Sequence, residues 1–201
     1  MMDAIPEFKH ALPAIVLMLS FGAPVVAGPI EDSSAAYEHG DFATAERLFR
    51  SLAEHGNAIA QYNLGAMYYK GEGVPQSYPE AVFWYRHAAW QGDASAQLSL
   101  GLMYYNGQGT LQSYAEALTW FLKAADQGSA QAQINLGAMY ANGQGVPQDY
   151  IHAHMWLSLA ATKSETRAAE LRDVVAAKMT AAQIAEAQQL AREWKPTKPR
   201  R

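Results

Sequence analysis

Ala60 to Gly92 reads AQYNLGAMYYKGEGVPQSYPEAVFWYRHAAWQG, and nearly the same text returns 36 residues later. Ala96 to Gly128 reads AQLSLGLMYYNGQGTLQSYAEALTWFLKAADQG, and Ala132 to Ala161 reads AQINLGAMYANGQGVPQDYIHAHMWLSLAA. A fixed period of this size marks a stacked repeat protein, in which each supersecondary unit is buried by its neighbours. Every unit divides at a double glycine: KGEG at 70–73, then NGQG at 106–109 and at 142–145. Before the first of these, Ala60, Leu64, Met67 and Tyr68 fall at helical spacing; after it, Ala81, Trp84, Tyr85, Ala88 and Ala89 do the same. The spacing predicts helix A, a Gly-rich loop, then helix B.

Local chemistry agrees with that division. Ser77 followed by Glu80, and Ser113 followed by Glu116, have the spacing of a capping box that opens helix B. Pro79 stands in the first turn, where a missing N–H is tolerated. Gly65, Gly101 and Gly137 fall inside helix A, where each costs about 1 kcal/mol relative to alanine. Their shared register predicts close approach of a neighbouring helix, the space being filled by the Trp or Tyr of helix B. The loop glycines suit positive φ at a helix C-terminus and match neither the P-loop nor the dinucleotide-binding pattern.

The pattern A-Q-x-x-L-G-x-M-Y-x-x-G-x-G-V, then Y-x-x-A-x-x-W and A-A-x-x-G, resembles the Sel-one-like repeat, a relative of the tetratricopeptide repeat. Three copies carry it, at 60–92, 96–128 and 132–162, with Thr110-Leu111 replacing Val-Pro in the second and the terminal glycine lost from the third. The resemblance implies an all-α, right-handed α-solenoid that acts as a scaffold for protein–protein contacts, without enzymatic activity or cofactor. Residues 33–56 read as a degenerate tetratricopeptide-like unit, with Phe42, Ala45, Leu48 and Gly56 aligned on Tyr78, Ala81, Trp84 and Gly92. Residues 165–194 read as capping helices, Glu165 to Lys178 and Ala181 to Trp194, which a solenoid needs to cover its last apolar face. Thr180 with Gln183 caps the second, whose predicted buried stripe is Ile184, Ala187, Leu190, Ala191 and Trp194.

Ahead of the repeats, Ala11 to Ala27 (ALPAIVLMLSFGAPVVA) is a 17-residue apolar stretch broken by Pro13, Gly22 and Pro24 and ending in small residues before Gly28. This predicts a signal peptide over residues 1–27, cleaved after Ala27, and a periplasmic or secreted protein without stable membrane insertion. An uncleaved N-terminal anchor is the alternative reading. The chain has no cysteine, which excludes disulfides, thiolate metal sites and a lipoprotein. The body from Gly28 to Trp194 holds 10 basic and 17 acidic residues, a balance that argues against nucleic acid, whose phosphates need a basic face. The basic tail over 195–201, KPTKPRR, reads as a disordered, solubilising end, with weak contact to an anionic surface as its functional alternative.

Catalytic patterns are missing: there is no HExxH, GxSxG or Ser-x-x-Lys. His152 and His154 stand two apart, so on one helix they point roughly 200° from each other and cannot share a metal ion. Glu170 and Asp173 share a helix face that solvation explains. Comparison of the copies with one another separates scaffold from surface. Trp84, Trp120 and Trp156 recur at one register, as do the helix A glycines, and these read as stacking residues. Other helix A positions vary: Tyr62, Leu98 and Ile134; Ala66, Leu102 and Ala138; Tyr69 and Tyr105, with Ala141; Lys70, Asn106 and Asn142. They lie at i, i+4, i+7 and i+8, on one face of each helix. In tetratricopeptide-like stacks such positions line the concave surface, which makes them a candidate groove for a protein or peptide partner. Packing of some of them against the next repeat is the competing reading. The leading functional expectation is an exported adaptor; a glycan-binding protein or hydrolase of the cell envelope, and a regulator of an envelope sensor or enzyme, are the alternatives.

Overall fold

The computed structural model describes residues 28–163 and 166–196. The leader expected over residues 1–27 and the tail from residue 197 lie outside the described residues. Ten helices follow one another: α1 (Pro29–Glu38), α2 (Phe42–Glu54), α3 (Ala58–Lys70), α4 (Tyr78–Trp90), α5 (Ala94–Asn106), α6 (Tyr114–Asp126), α7 (Ala130–Asn142), α8 (Tyr150–Ala161), α9 (Thr166–Ala176) and α10 (Ala181–Glu193). Each of α1 to α8 packs on the next, with α3–α4, α5–α6 and α7–α8 as the A–B pairs of the three repeats. The chain is an α-solenoid.

The helix ends are defined by short-range hydrogen bonds. Asn57, Asp93 and Ser129 each accept from the backbone N–H three residues on, at 2.9, 2.7 and 3.4 Å, and so start the A helices. Gly71, Gly107 and Gly143 end them in the left-handed region, at φ 79°, 69° and 69°. At helix B, Ser77 and Ser113 accept from Glu80 and Glu116 at 3.4 and 3.3 Å. Among the described residues the complete reciprocal box is made only by Thr180 and Gln183.

The glycines within helix A do face a crowded space, but its occupant differs from the expected one in two copies of three. A Cβ at Gly65 would stand 2.8 Å from the Tyr85 ring, at Gly101 2.6 Å from Phe121, and at Gly137 2.5 Å from Leu157. The filler is thus the residue after each Trp, from the helix B of the same repeat. Trp84, Trp120 and Trp156 turn the other way, into the preceding unit. Trp84 shares a cluster with Ala45 and Ala53, Trp120 with Ala81, Ala88 and Ala89, and Trp156 with Ala117, Ala124 and Ala125. Alanines at those helix B positions leave the volume that the next indole fills. All three indole N–H groups are buried without a hydrogen-bond partner.

A polar ladder runs alongside the Trp joints. Gln61, Gln97 and Gln133 are buried, and each donates to a helix B carbonyl of the preceding unit: Ala53 at 3.0 Å, Ala89 at 3.1 Å and Ala125 at 3.3 Å. Gln91 donates to Gln61 Oε1 at 2.7 Å, and Gln127 to Gln97 Oε1 at 2.8 Å. Lys163 holds the corresponding position after the third repeat, and Gln133 Oε1 is left buried and unpaired.

The N-terminal end departs from the sequence expectation, whereas α9 and α10 lie within the two segments read as capping helices. The first unit begins at Pro29, ahead of the expected 33, because Gly28 caps a helix with proline in its first turn and Glu31 and Asp32 at its positive end. At the other end, α9 repeats the helix A register: Ala168 and Val175 stand 36 residues after Ala132 and Met139 and are likewise buried. α10 breaks the register. It packs on α8, with Ala187 buried and Leu190, Ala191 and Trp194 half-buried against the cluster that contains Trp156 and Leu159.

Candidate binding face

The varying helix A positions form four rows along the stack, and the rows differ in burial. In the first, the Tyr62 ring lies 5.7 Å from that of Tyr85, Leu98 is half-buried on the core of the next unit, and Ile134 is only 4% exposed beside Ala160 and Ala168. This row belongs to the joints between units. Ile134 in particular is a core residue, sealed by α9, and leaves the candidate groove.

The second and third rows are more open. Ala66 and Ala138 are half-buried, while Leu102 is 37% exposed. Tyr69 is also 37% exposed, its ring 5.4 Å from Tyr78, and Tyr105 repeats the arrangement 5.1 Å from Tyr114. The Tyr105 hydroxyl donates to Gln144 Oε1 at 3.1 Å. Where the third repeat would carry a tyrosine it has Ala141, which with Ala138 and Asn142 borders a cleft against Leu171 and Val174 of α9. The aromatic row therefore spans the first two repeats.

In the fourth row Lys70, Asn106 and Asn142 are exposed. Lys70 donates to the Tyr37 hydroxyl at 2.8 Å and lies 3.5 Å from Glu72, to which Tyr37 itself donates. The bond to Tyr37 raises the Lys70 pKa above the usual lysine value, and burial together with the Glu72 bond raises that of the Tyr37 phenol. Lys70 is thus a tethered cation linking the first two units.

The structure brings Tyr69 of one repeat against Leu102 of the next. With Tyr85, Ser99, Met103 and Gln108 they line a cleft of about 140 Å³. Burial pushes the Tyr85 phenol well above the usual tyrosine range, so it stays neutral. The cleft accepts an apolar side chain and offers neutral polar atoms, and its lining carries no ionised group suited to acid–base chemistry. Sequence comparison missed Ser99 and Gln108. Gln108 had a signal, since its position varies as Glu72, Gln108 and Gln144; Ser99 had a weaker one, against Asn63 and Asn135.

The two histidines part as expected for neighbours two apart. His152 is exposed, 2.7 Å from Asp149 and stacked on Tyr140 at 5.4 Å between centroids. His154 is 3% exposed, with Nδ1 3.2 Å from Ser158 Oγ, and burial holds its pKa below the usual histidine value. Asp173 pairs with Arg172 at 2.7 Å, and Glu170 is solvated. Among the described residues no group of three or more metal-ligating side chains converges, and no helix is long and apolar enough to cross a membrane.

Comparison with known proteins agrees with this architecture. The Sel1 repeat profile matches residues 58–93, 94–129 and 130–164. No curated protein matches the chain. Among solved structures, c5321 of Escherichia coli, described as a protective antigen present in uropathogenic strains and displaying an SLR fold, is 32% identical with a TM-score of 0.72, covering 81% of this chain and 38% of its own. A Sel1 repeat protein from Oxalobacter formigenes is 33% identical with a TM-score of 0.66, covering 71% of this chain and 57% of its own. The chain thus spans well under two thirds of the length of either. With three contiguous profile matches laid on three helix pairs of one register, the chain belongs to the Sel1 repeat family.

Proposed function

We propose that this chain is an exported adaptor that binds a segment of another protein in a concave groove along its A helices. One observation carries the reading: Tyr69 and Leu102, each 37% exposed, are apolar side chains on neighbouring repeats that no element of the stack covers, and Tyr105 lies half-buried at the same register as Tyr69. Sel1 repeats generally mediate protein interactions, and aromatic anchors of this kind supply much of the binding energy in such interfaces. The alternation of apolar side chains with Asn106, Gln108 and Ser99 suits an extended peptide or an amphipathic helix. Export is inferred from the apolar stretch before Gly28; α1 begins at Pro29, so cleavage after Ala27 would leave all the described helices intact.

Photo-crosslinking in the native host tests both parts at once. A benzophenone side chain at position 102 or 105 is expected to capture one discrete partner, and the captured chain should have the intact mass of Gly28–Arg201. The same probe at exposed position 116 should capture none. Equal capture from 102 and 116 contradicts the groove, and a membrane-retained full-length chain contradicts export with cleavage.

A further inference from the structure

Helix B of the first repeat carries exposed aromatic residues that the other two copies lack. On α4, Phe83, His87 and Trp90 stand at i, i+4 and i+7 and form an edge-to-face ladder, with ring centroids 4.6 Å apart between Phe83 and His87 and 6.1 Å between His87 and Trp90. Phe83 is 49% and Trp90 65% exposed, which for adjacent aromatics on one stripe is a large uncovered apolar area. On α6 the same register holds the exposed Thr119 and Lys123 and the half-buried Asp126, a polar stripe. On α8 it holds Met155 and Leu159, 7% and 9% exposed where α10 packs on that helix, and after its end Thr162, which is exposed.

The seat of α10 can therefore be moved along the stack by two periods, 72 residues, onto α4. Met155 becomes Phe83, Leu159 becomes His87, and the Trp156 ring, 6.1 Å from Trp194 of α10, becomes Trp84. The neighbouring contact is also reproduced. Trp194 hydrogen-bonds Asp126 on α6, the helix B before the seat, and the residue two periods earlier is Glu54 on α2, again a carboxylate. Moved by only one period, the seat loses its apolar floor to Thr119 and Lys123.

We infer that the Phe83–His87–Trp90 stripe of α4 is a docking site for an amphipathic helix of a partner protein. The occupant is defined by the internal example. It carries an apolar stripe at i, i+3 and i+7, as Ala187, Leu190 and Trp194 do on α10 and its C-cap, and a donor, indole or basic, that reaches Glu54. This face is separate from the A-helix row and stands whether or not that row binds a partner.

The test is a titration of the protein with an 18-residue helical peptide bearing leucines at those spacings and a Trp-Lys end, read by the indole Nε1–H resonances of the five tryptophans. Saturable shifts of the Trp90 signal are expected, with those of Trp120 unmoved. Phe83→Thr with His87→Lys copies the stripe that α6 already carries and should weaken binding at least tenfold; Glu54→Lys should weaken it severalfold. The inference is overturned if Trp90 does not respond, if the signals that move are Trp156 and Trp194, or if the Phe83→Thr/His87→Lys protein binds equally. It is also overturned if sedimentation shows that the protein alone dimerises through this stripe, because the occupant would then be a second copy.

Discussion

The second and third repeats have nearly the same helix A, yet they sit in different surroundings. In the second, Leu102 is 37% exposed and the helix B stripe is Thr119 and Lys123; in the third, Ile134 is sealed by α9, and Met155 and Leu159 are covered through α10. The residues that recur, Leu100 and Leu136 or Trp120 and Trp156, are buried in both. Constant positions thus encode the joint, whereas varying positions divide between the joint, as Ile134 shows, and faces met by solvent or a cap. Apolar side chains at varying positions without a covering element are the informative ones, and Tyr69, Leu102, Phe83 and Trp90 make up most of them.

The largest effects are expected at the joints. Trp120→Ala should cost about 3–5 kcal/mol, because the alanine-lined slot of the preceding helix B cannot collapse around the cavity. Trp120→Phe should cost well under half as much, since it discards an indole N–H that is buried without a partner. Denaturant unfolding of the two variants checks this, and equal losses would mean that the ring volume is not what matters.

The next effect concerns the cap. Leu159→Lys copies Lys123 into the third repeat and should cost roughly 2–4 kcal/mol, by placing an ammonium under α10. Thr119→Ala, at the solvated stripe of the second repeat, should stay within about 0.5 kcal/mol. Similar melting shifts for the two would show that α10 does not depend on that stripe.

The smallest expected effect is a stabilising one. Lys163 donates to the Gly128 carbonyl much as Gln127 donates to Gly92, but it leaves Gln133 Oε1 unpaired. Lys163→Gln should restore the missing rung and stabilise the protein by about 0.5–1.5 kcal/mol, measured by chemical denaturation. No gain would mean that Gln133 already finds compensation.

The period, the A–B division and the helix A glycines were legible because stacking imposes identical chemistry at every copy. The glutamine ladder was visible only as recurrence; Gln61, Gln97 and Gln133 donate to backbone carbonyls of the preceding unit, and such carbonyls carry no residue identity. Ile134 read as surface because a varying residue at a joint looks the same in sequence as one in a groove; its burial depends on α9. The seat of α10 was equally hidden, since an amphipathic stripe states that a helix is covered and not by what. Proline at the start of α1 was available as a signal, and Pro29 with Glu31 and Asp32 would have placed the first unit correctly.

The proposed anchoring tyrosines, Tyr69 and Tyr105, stand at a different register from the stacking tryptophans Trp84, Trp120 and Trp156. With a captured partner in hand, Tyr69→Ala combined with Tyr105→Ala should weaken binding by about 2 kcal/mol or more in a calorimetric titration, while the melting curve shifts modestly beside that of Trp120→Ala. Unchanged affinity in the tyrosine variant, or unfolding like that of the tryptophan variant, would contradict this division between anchoring and stacking residues.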